Sequence, residues 1–410
     1  MTTPARAPLK SLDDAMAELL AQAIPLAGTD TVNTFDADGR VLAQSACSPL
    51  QVPPDDNSSM DGYAVRRADI TAAGVDLPVS QRIAAGGCGT PLAAGTAARI
   101  FTGAPVPAGA DAIVMQEDCE ALPGERVRVN AVPAPGQWIR RAGEDIRLGA
   151  EVLAAGTRLT PAELGLAASI GLAELQVARR PRVALFSTGD ELVMPGDVPP
   201  AQMRPGAIYN SNRFFLRAML LRLGCEVSDF GIVPDRRDAT VAALREASAG
   251  HDLILTSGGV SVGEEDHIKP AVESLGSLDL WQIAMKPGKP FAYGRIAGAH
   301  FMGLPGNPVS SFVTFGVLVR PFLLRLQGVQ RVAPKIIAAT AGFDWLKGDK
   351  RREFLRVRQV ADGTLELFTN QSSGVLTSAA WADGVVDNPP GQTIARGDTV
   401  RFLPFAELLS

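Results

Sequence analysis

Four short stretches between residues 187 and 310 of this chain combine glycine with groups able to do chemistry. Ser187-Thr188-Gly189-Asp190-Glu191 joins two hydroxyls and a flexible residue to two acids. The run Ser257-Gly258-Gly259-Val260-Ser261-Val262-Gly263-Glu264-Glu265-Asp266 offers backbone amides able to cradle an anion, then three acids able to hold a hard cation. Gly303-Leu304-Pro305-Gly306-Asn307-Pro308-Val309-Ser310 leads into an expected helix whose positive N-terminal end favours phosphate or an oxyanion. Lys286-Pro287-Gly288-Lys289-Pro290 adds two ammonium groups on a restricted turn. Acids that hold a divalent ion and lysines that neutralise phosphoryl oxygens are the parts used in phosphoanhydride cleavage, where positioning and charge dominate. No protein nucleophile is required.

Each stretch also has a plain structural reading. A glycine cluster at a strand end is ordinary turn punctuation. Asp190, Glu191, Asp235 and Asp266 could cap helices or lie in solvent, and Asp266 and Glu191 are the first choices for a metal. Lys286 and Lys289 could be surface charges. His267 suits a helix start, and Cys225 suits a small core position. Recurrence of the pattern at several strand ends favours a phosphate-bearing ligand with Mg²⁺. The common nucleotide motifs are missing, because Pro290 follows Gly288-Lys289 and the glycine spacing after Ser257 is not GxGxxG.

The elements that position these loops are readable. From residue 180 the pattern alternates: strands at 183–187, 226–232, 253–256, 280–284 and 300–304, helices at 211–223, 238–249 and 268–275, and a last helix with Asn307 as cap and Pro308 at its first turn. This predicts a parallel three-layer α/β sheet, in which ligands gather at strand carboxyl ends. Upstream, residues 11–24 form an amphipathic helix behind Ser11. A second helix starts at Thr160-Pro161-Ala162-Glu163, with the first as its expected packing partner. Between them, 50–143 is β-rich. After 332 the chain is again β, with Asp362-Gly363 as a hairpin turn. The predicted domains are 1–49 with 144–179 (discontinuous, helical and extended), 50–143 (β-rich insert), 180–330 (α/β) and 331–410 (C-terminal β).

Composition supports this. A chain of 410 residues exceeds the usual limit of one core. Hydrophobic residues at 46% against 20% charged exclude wholesale disorder. A net charge of -5 without a basic block argues against nucleic acid. Four dispersed cysteines and three histidines argue against a zinc site or a disulfide framework. No apolar leader or span of roughly 20 apolar residues stands out, so a cytoplasmic protein without membrane contact is expected.

Several long stretches resemble the molybdopterin molybdenumtransferase family, which comprises bacterial MoeA proteins and the C-terminal part of gephyrin. They are residues 57–64 (NSSMDGYA), 102–107 (TGAPVP) and 140–145 (RRAGED), together with the four stretches above. The resemblance spans essentially the whole chain. It implies a multidomain α/β plus β fold: a molybdopterin-binding-like α/β domain, a β-rich insert, a discontinuous domain and a C-terminal β-barrel. It implies an elongated homodimer whose cleft lies between the β module of one subunit and the α/β and C-terminal domains of the other. The implied reaction takes adenylylated molybdopterin from a partner adenylyltransferase and cleaves it with Mg²⁺ as molybdate is inserted, releasing AMP. Carried across, Asp61, Asp145, Glu191, Asp235 and Asp266 are the catalytic acids, with Glu191 and Asp266 on the metal. Thr102, Ser187, Thr188, Gly189, Ser257, Gly258, Gly259, Ser261, Lys286, Lys289, Pro305, Gly306, Asn307 and Pro308 contact substrate, and Arg356 and Ser373 contact molybdate. Trp138 stands where the family often has asparagine. Two alternatives remain open: the adenylyltransferase step itself, and a gephyrin-like peptide-binding scaffold without turnover.

Overall fold

The computed structural model describes residues 9–259 and 267–409. Ser261 and Asp266 lie outside the described residues.

Apolar runs in residues 182–304 build one six-stranded sheet in the order Glu226–Val233, Arg182–Thr188, Leu253–Ser257, Ala299–Leu304, Pro290–Ile296, Gly276–Gln282. The first four strands are parallel. The expectation of a wholly parallel sheet is corrected at one edge, where Pro290–Ile296 pairs antiparallel with both of its neighbours. That strand escapes sequence reading because Pro290 opens it beside a proline-rich turn, and proline is tolerated only at the first residue or on an edge. Helices cover both faces. Leu216, Leu220 and Phe322 pack with Val183 and Leu255 on one side, and Leu244, Ile268 and Val272 pack with Phe186 and Ile254 on the other.

The last helical run, Pro308–Leu326, is long and apolar enough to cross a bilayer by length and composition, which composition reading had not singled out. Its hydrophobic window is 89% buried inside the protein, as expected of a core helix surrounded by other elements.

Ser11 caps the Leu12–Gln22 helix by accepting from Asp14 N, and a Thr160/Glu163 capping box opens Pro161–Ser169. These two helices are not packing partners. Leu12, Ala15 and Leu19 join the core of the α/β region with Phe322 and Leu326, while Ala167 packs with Ala37, Leu42 and Leu175. Three short antiparallel pairs take the chain out and back: Thr29–Asn33 with Glu174–Ala178, Ala46–Cys47 with Glu151–Leu153, and Asn57–Ser58 with Ile139–Arg140. Beyond them lies a second six-stranded sheet built from residues 62–129. Trp138 sits at its base with φ 58°, a left-handed conformation that asparagine tolerates far better than tryptophan. Its carbonyl accepts from Ser59 N and Oγ at 2.9 Å each.

The C-terminal sheet carries the expected hairpin, Arg352–Gln359 against Leu365–Leu367, with Gly363 at φ 84°. It closes on itself, because Ala341 bridges Leu365 and Gly342 N donates to Leu365 O at 2.8 Å.

Asp252 locks the entry into the α/β sheet. Its carboxylate takes both Arg179 Nη atoms, at 2.8 and 2.7 Å, and Arg182 N at 2.8 Å. Burial works to raise this carboxyl, and the Arg179 and Arg182 hydrogen bonds outweigh it, so its pKa falls below the ordinary 3.8. A depressed folded-state pKa means the stabilisation is present above the unfolded value and is lost as pH falls through the folded one. Asp252→Asn should therefore lower the unfolding free energy at pH 7 by about 2 kcal/mol, since it leaves a guanidinium without its counter-charge. In urea titrations the gap from the unaltered protein should narrow as pH drops below 3.8; a gap constant across that range would refute the assignment.

Candidate active site

The carboxyl ends of the four parallel strands open into one cleft of about 820 Å³. Thr188, Gly189 and Glu191 reach it from the Arg182–Thr188 strand, Ser257, Gly258 and Gly259 from Leu253–Ser257, Pro305 to Pro308 from Ala299–Leu304, and Asp235 from Glu226–Val233. The separate glycine loops thus meet at one place, as strand-end geometry predicts for an open α/β sheet.

Close backbone approach makes the meeting possible. Gly258 has φ +94°, and a Cβ there would lie 2.8 Å from Thr188 O; one on Gly259 (φ +67°) would lie 2.5 Å from Ile268 Cγ1 and 2.9 Å from Thr188 Oγ1. Gly258 N donates to Leu304 O at 3.1 Å, joining the second loop to the end of the Ala299–Leu304 strand.

Sequence reading missed the segment Tyr209, Asn210, Ser211 and Asn212, which lines the same cleft. In sequence it reads only as a helix start. Asn212, 8% exposed, donates through Nδ2 to Ser257 Oγ at 2.7 Å and to Gly306 O at 2.8 Å, fastening two of the loops together. Two asparagines flanking the start of a helix were the available signal.

Other expected residues lie elsewhere. Ser187 is 1% exposed and does not line the cleft. Lys286 is turned to the C-terminal sheet, with Nζ 3.1 Å from Glu353 Oε1 and 3.4 Å from Asp349 Oδ2. Lys289 precedes Pro290 of the cleft wall and enters no ion pair among the described residues. Arg356 is 1% exposed. Its guanidinium donates to Phe354 O, Ser378 Oγ and Ser372 O, and burial lowers it to about 10, so it stays charged at neutral pH. Ser373 O accepts from Val309 N at 3.0 Å, so one amide at the helix N-terminus expected for an anion is already used by the C-terminal domain. Beside it, Gly374 and Leu376 line the cleft. Asn307 occupies the N-cap position without a side-chain capping bond.

Asp61, Thr102 and Asp145 do not line this cleft. In the insert, Asp61 Oδ1 accepts from Thr102 N and Thr102 Oγ1, each at 2.8 Å. Those bonds, led by the backbone one, hold the Asp61 carboxyl below its usual range. Asp145 is exposed, and its N–H donates to Val52 O at 3.1 Å.

Among the described residues the cleft lining carries two acids, Glu191 and Asp235, and no lysine or arginine. No group of three or more potential metal-ligating side chains occurs among them. Such a lining suits a ligand that brings both phosphoryl oxygens and a hard cation.

The chain was compared with known proteins. Residues 10–171 match the MoeA N-terminal region (domains I and II), residues 184–325 a probable molybdopterin binding domain, and residues 338–405 the MoeA C-terminal region (domain IV). The molybdopterin molybdenumtransferase of Haemophilus influenzae is 39% identical over 97% of this chain and 99% of its own length.

The chain belongs to the MoeA family.

Molybdopterin molybdenumtransferase 2 of Mycobacterium tuberculosis is 38% identical over 91% of this chain and 93% of its own. Crystal structures of Pyrococcus horikoshii MoeA proteins superpose with TM-scores of 0.84 (26% identity, covering 97% of this chain and all of that one) and 0.76 (31% identity, 97% and 99%). The whole MoeA architecture is therefore present, including the accessory β regions that flank the α/β domain.

In this MoeA chain the Asn212 tie and the Gly258 conformation should be separable. Gly258→Ala forces a side chain into a positive-φ site against backbone and should cost about 1–3 kcal/mol. Asn212→Ala should cost about 1–2 kcal/mol by leaving Gly306 O and Ser257 Oγ unpaired. Denaturant midpoints measure both, and the proposed role of the loops fails if neither variant alters stability or the binding of AMP.

Proposed function

We propose that this chain is a molybdopterin molybdenumtransferase: it inserts molybdate into adenylylated molybdopterin with release of AMP. The observation that carries the reading is the convergence of the glycine loops and two carboxylates at the parallel strand ends, in a chain that matches transferases of that name over nearly their full length.

The roles follow from placement. The hydroxyls of Thr188 and Ser257 and the amide of Gly259 hold phosphoryl oxygens by donating hydrogen bonds. Asp235 would orient the attacking water and Glu191 would help to hold Mg²⁺, and the family resemblance adds Asp266 to the metal. Magnesium fits this donor set because it is commonly held by one or two carboxylates plus substrate phosphates rather than by an all-protein cage. Bound there, it would supply charge neutralisation at the phosphoanhydride. Lys289 and the buried Arg356 add positive potential at the rim and beneath the segment 372–376, where molybdate would approach. Lys286 holds its charge against Glu353 and Asp349, so its contribution is to the seam between the domains unless the anion draws it away.

The active form in this reading is a homodimer in which the Asp61–Thr102 region of one subunit faces the cleft of the other, with Asp145 in the same lobe. Adenylylated molybdopterin comes from an adenylyltransferase, and the protein works in the cytoplasm.

The test incubates the pure protein with adenylylated molybdopterin, Mg²⁺ and molybdate while AMP and molybdenum cofactor are followed. Asp235→Asn and Asp266→Ala should each lower kcat by about 10²-fold, the scale of losing one preorganised electrostatic contact. Chelation of Mg²⁺ should stop AMP release. Transfer of AMP from ATP to free molybdopterin, without molybdate insertion, would assign the preceding adenylyltransferase step instead.

A further inference from the structure

We propose that Arg82 and Arg99, stacked on Phe101, form a phosphoryl-binding face on the β module that completes the cleft of a second copy of this chain. The inference rests on the function proposed above and adds residues to that same site.

Strand register builds the face. Arg99 stands opposite Tyr63 on one side and opposite Arg82 on the other, so the three form a row across neighbouring strands. Ala98, Ile100 and Ile83 alternate with them and are buried on the opposite side of the sheet. The Arg82 guanidinium carbon lies 4.5 Å from the Phe101 ring centroid, and that of Arg99 lies 4.6 Å from Phe101 and 5.1 Å from Tyr63. Arg99 is steadied by donating to Gly62 O at 2.9 Å and to Gln116 Oε1 at 2.6 Å. Both acceptors are neutral, so the charge is fixed in place and only partly offset by the Asp61 carboxylate, which Arg99 helps to hold below its usual range. Neither arginine enters an ion pair among the described residues, whereas Arg128 of the same module is paired with Asp76 and Glu120. A guanidinium held flat on an aromatic ring loses little freedom when it meets an oxyanion. Phe101 is followed directly by Thr102, whose bonds to Asp61 place that carboxylate beside the row.

The cleft supplies the complementary half of the argument. Its described lining contains Glu191 and Asp235 and no cation, Lys286 is neutralised by Glu353 and Asp349, and Arg356 is sealed under the segment 372–376. An adenylylated substrate brings several negative charges. No residue of 50–143 lines the cleft in its own chain, so a second copy brings this face to it. The phosphoryl group of the nucleotide end is the part of the substrate matched to two fixed guanidiniums.

Arg82 is exposed and its side chain makes no hydrogen bond among the described residues, so changing it leaves the fold intact. Calorimetry on the full-length protein with Mg²⁺ at fixed ionic strength, using AMP, adenosine and molybdate as separate probes, reads the site. Arg82→Glu should weaken AMP by about tenfold or more, the scale of losing a charge-assisted contact. It should leave adenosine and molybdate unchanged and raise KM more than it lowers kcat, and Arg82→Lys, which keeps the charge without the stacked planar fork, should restore only part of the affinity. Mixing Arg82→Glu with Asp235→Asn subunits should regain turnover at low substrate, because a mixed dimer holds one unaltered site. Unchanged AMP affinity and KM in Arg82→Glu, beside normal turnover of the unaltered protein, would overturn the inference, as would a loss confined to molybdate or mixed subunits that regain nothing. An unaltered protein that neither binds AMP nor turns over would remove the function on which the inference stands.

Discussion

The close approach of the backbone after the Arg182–Thr188 strand to the backbone after Leu253–Ser257 is the constraint on which the cleft depends. These strands are parallel neighbours with Ser187 opposite Ser257, so their loops leave the sheet at the same height and compete for the same space. Glycine at 258 and 259 resolves the competition, since each position has positive φ and no room for a Cβ. Asn212 then holds Ser257 and Gly306 at fixed separation. The donors that face the cleft are positioned by these contacts before any ligand arrives, which is the condition for electrostatic preorganisation.

The C-terminal barrel is joined to this arrangement by apolar packing, with Phe354, Val385, Leu403 and Leu408 in one core with Phe315 and Phe322, and by polar contacts. The short strand Met285–Lys286 pairs with Arg352 and Glu353, and the Lys286 ammonium closes on Glu353 and Asp349. Glu353 is 1% exposed and also accepts from Trp345 Nε1 at 2.8 Å, so its charge is compensated within the seam. Asp387, 2% exposed, takes Arg352 and Arg401, and Arg352 reaches on to Asp13 of the first helix. Two adjacent polar clusters therefore tie the first helix and the Met285–Lys286 strand to the barrel. Ion pairs with little exposure reward correct geometry strongly and tolerate incorrect geometry poorly, which suits a seam that sets a wall position.

Much of this was legible in sequence because local chemistry and long-range structure agree. The alternation of strand and helix after residue 180, the capping box at Thr160, and the Asp362-Gly363 turn each name their element through periodicity or backbone preference. The convergence of loops was legible because strand ends of a parallel sheet share one edge. What sequence concealed was of another kind. Whether Lys286 faces an anion or a buried glutamate depends on a partner 67 residues away. The strand opened by Pro290, one in from the sheet edge, carries no helix between it and Ala299–Leu304 to advertise it. The first helix is amphipathic whichever neighbour it has, so its pattern could not choose between Pro161–Ser169 and the helix at Arg320–Leu326. Asn212 acts through two hydrogen bonds that a helix-start reading cannot contain.

The distribution of charge makes the arrangement selective. Acids line the described cleft, while Lys289 stands at its rim and the other cations named above are compensated in the domain seam, buried behind the barrel loop, or displayed on the β module. Carboxylates alone at the strand ends repel a bare phosphoanhydride and admit one whose charge is met at the same moment by a cation. Small uncharged or positively charged molecules find acids there but nothing matched to their shape. A substrate long enough to touch the strand-end amides with one phosphoryl group and a cationic surface with another satisfies both halves at once. Binding energy gathered at separated points is what can be used to orient the bond that must break.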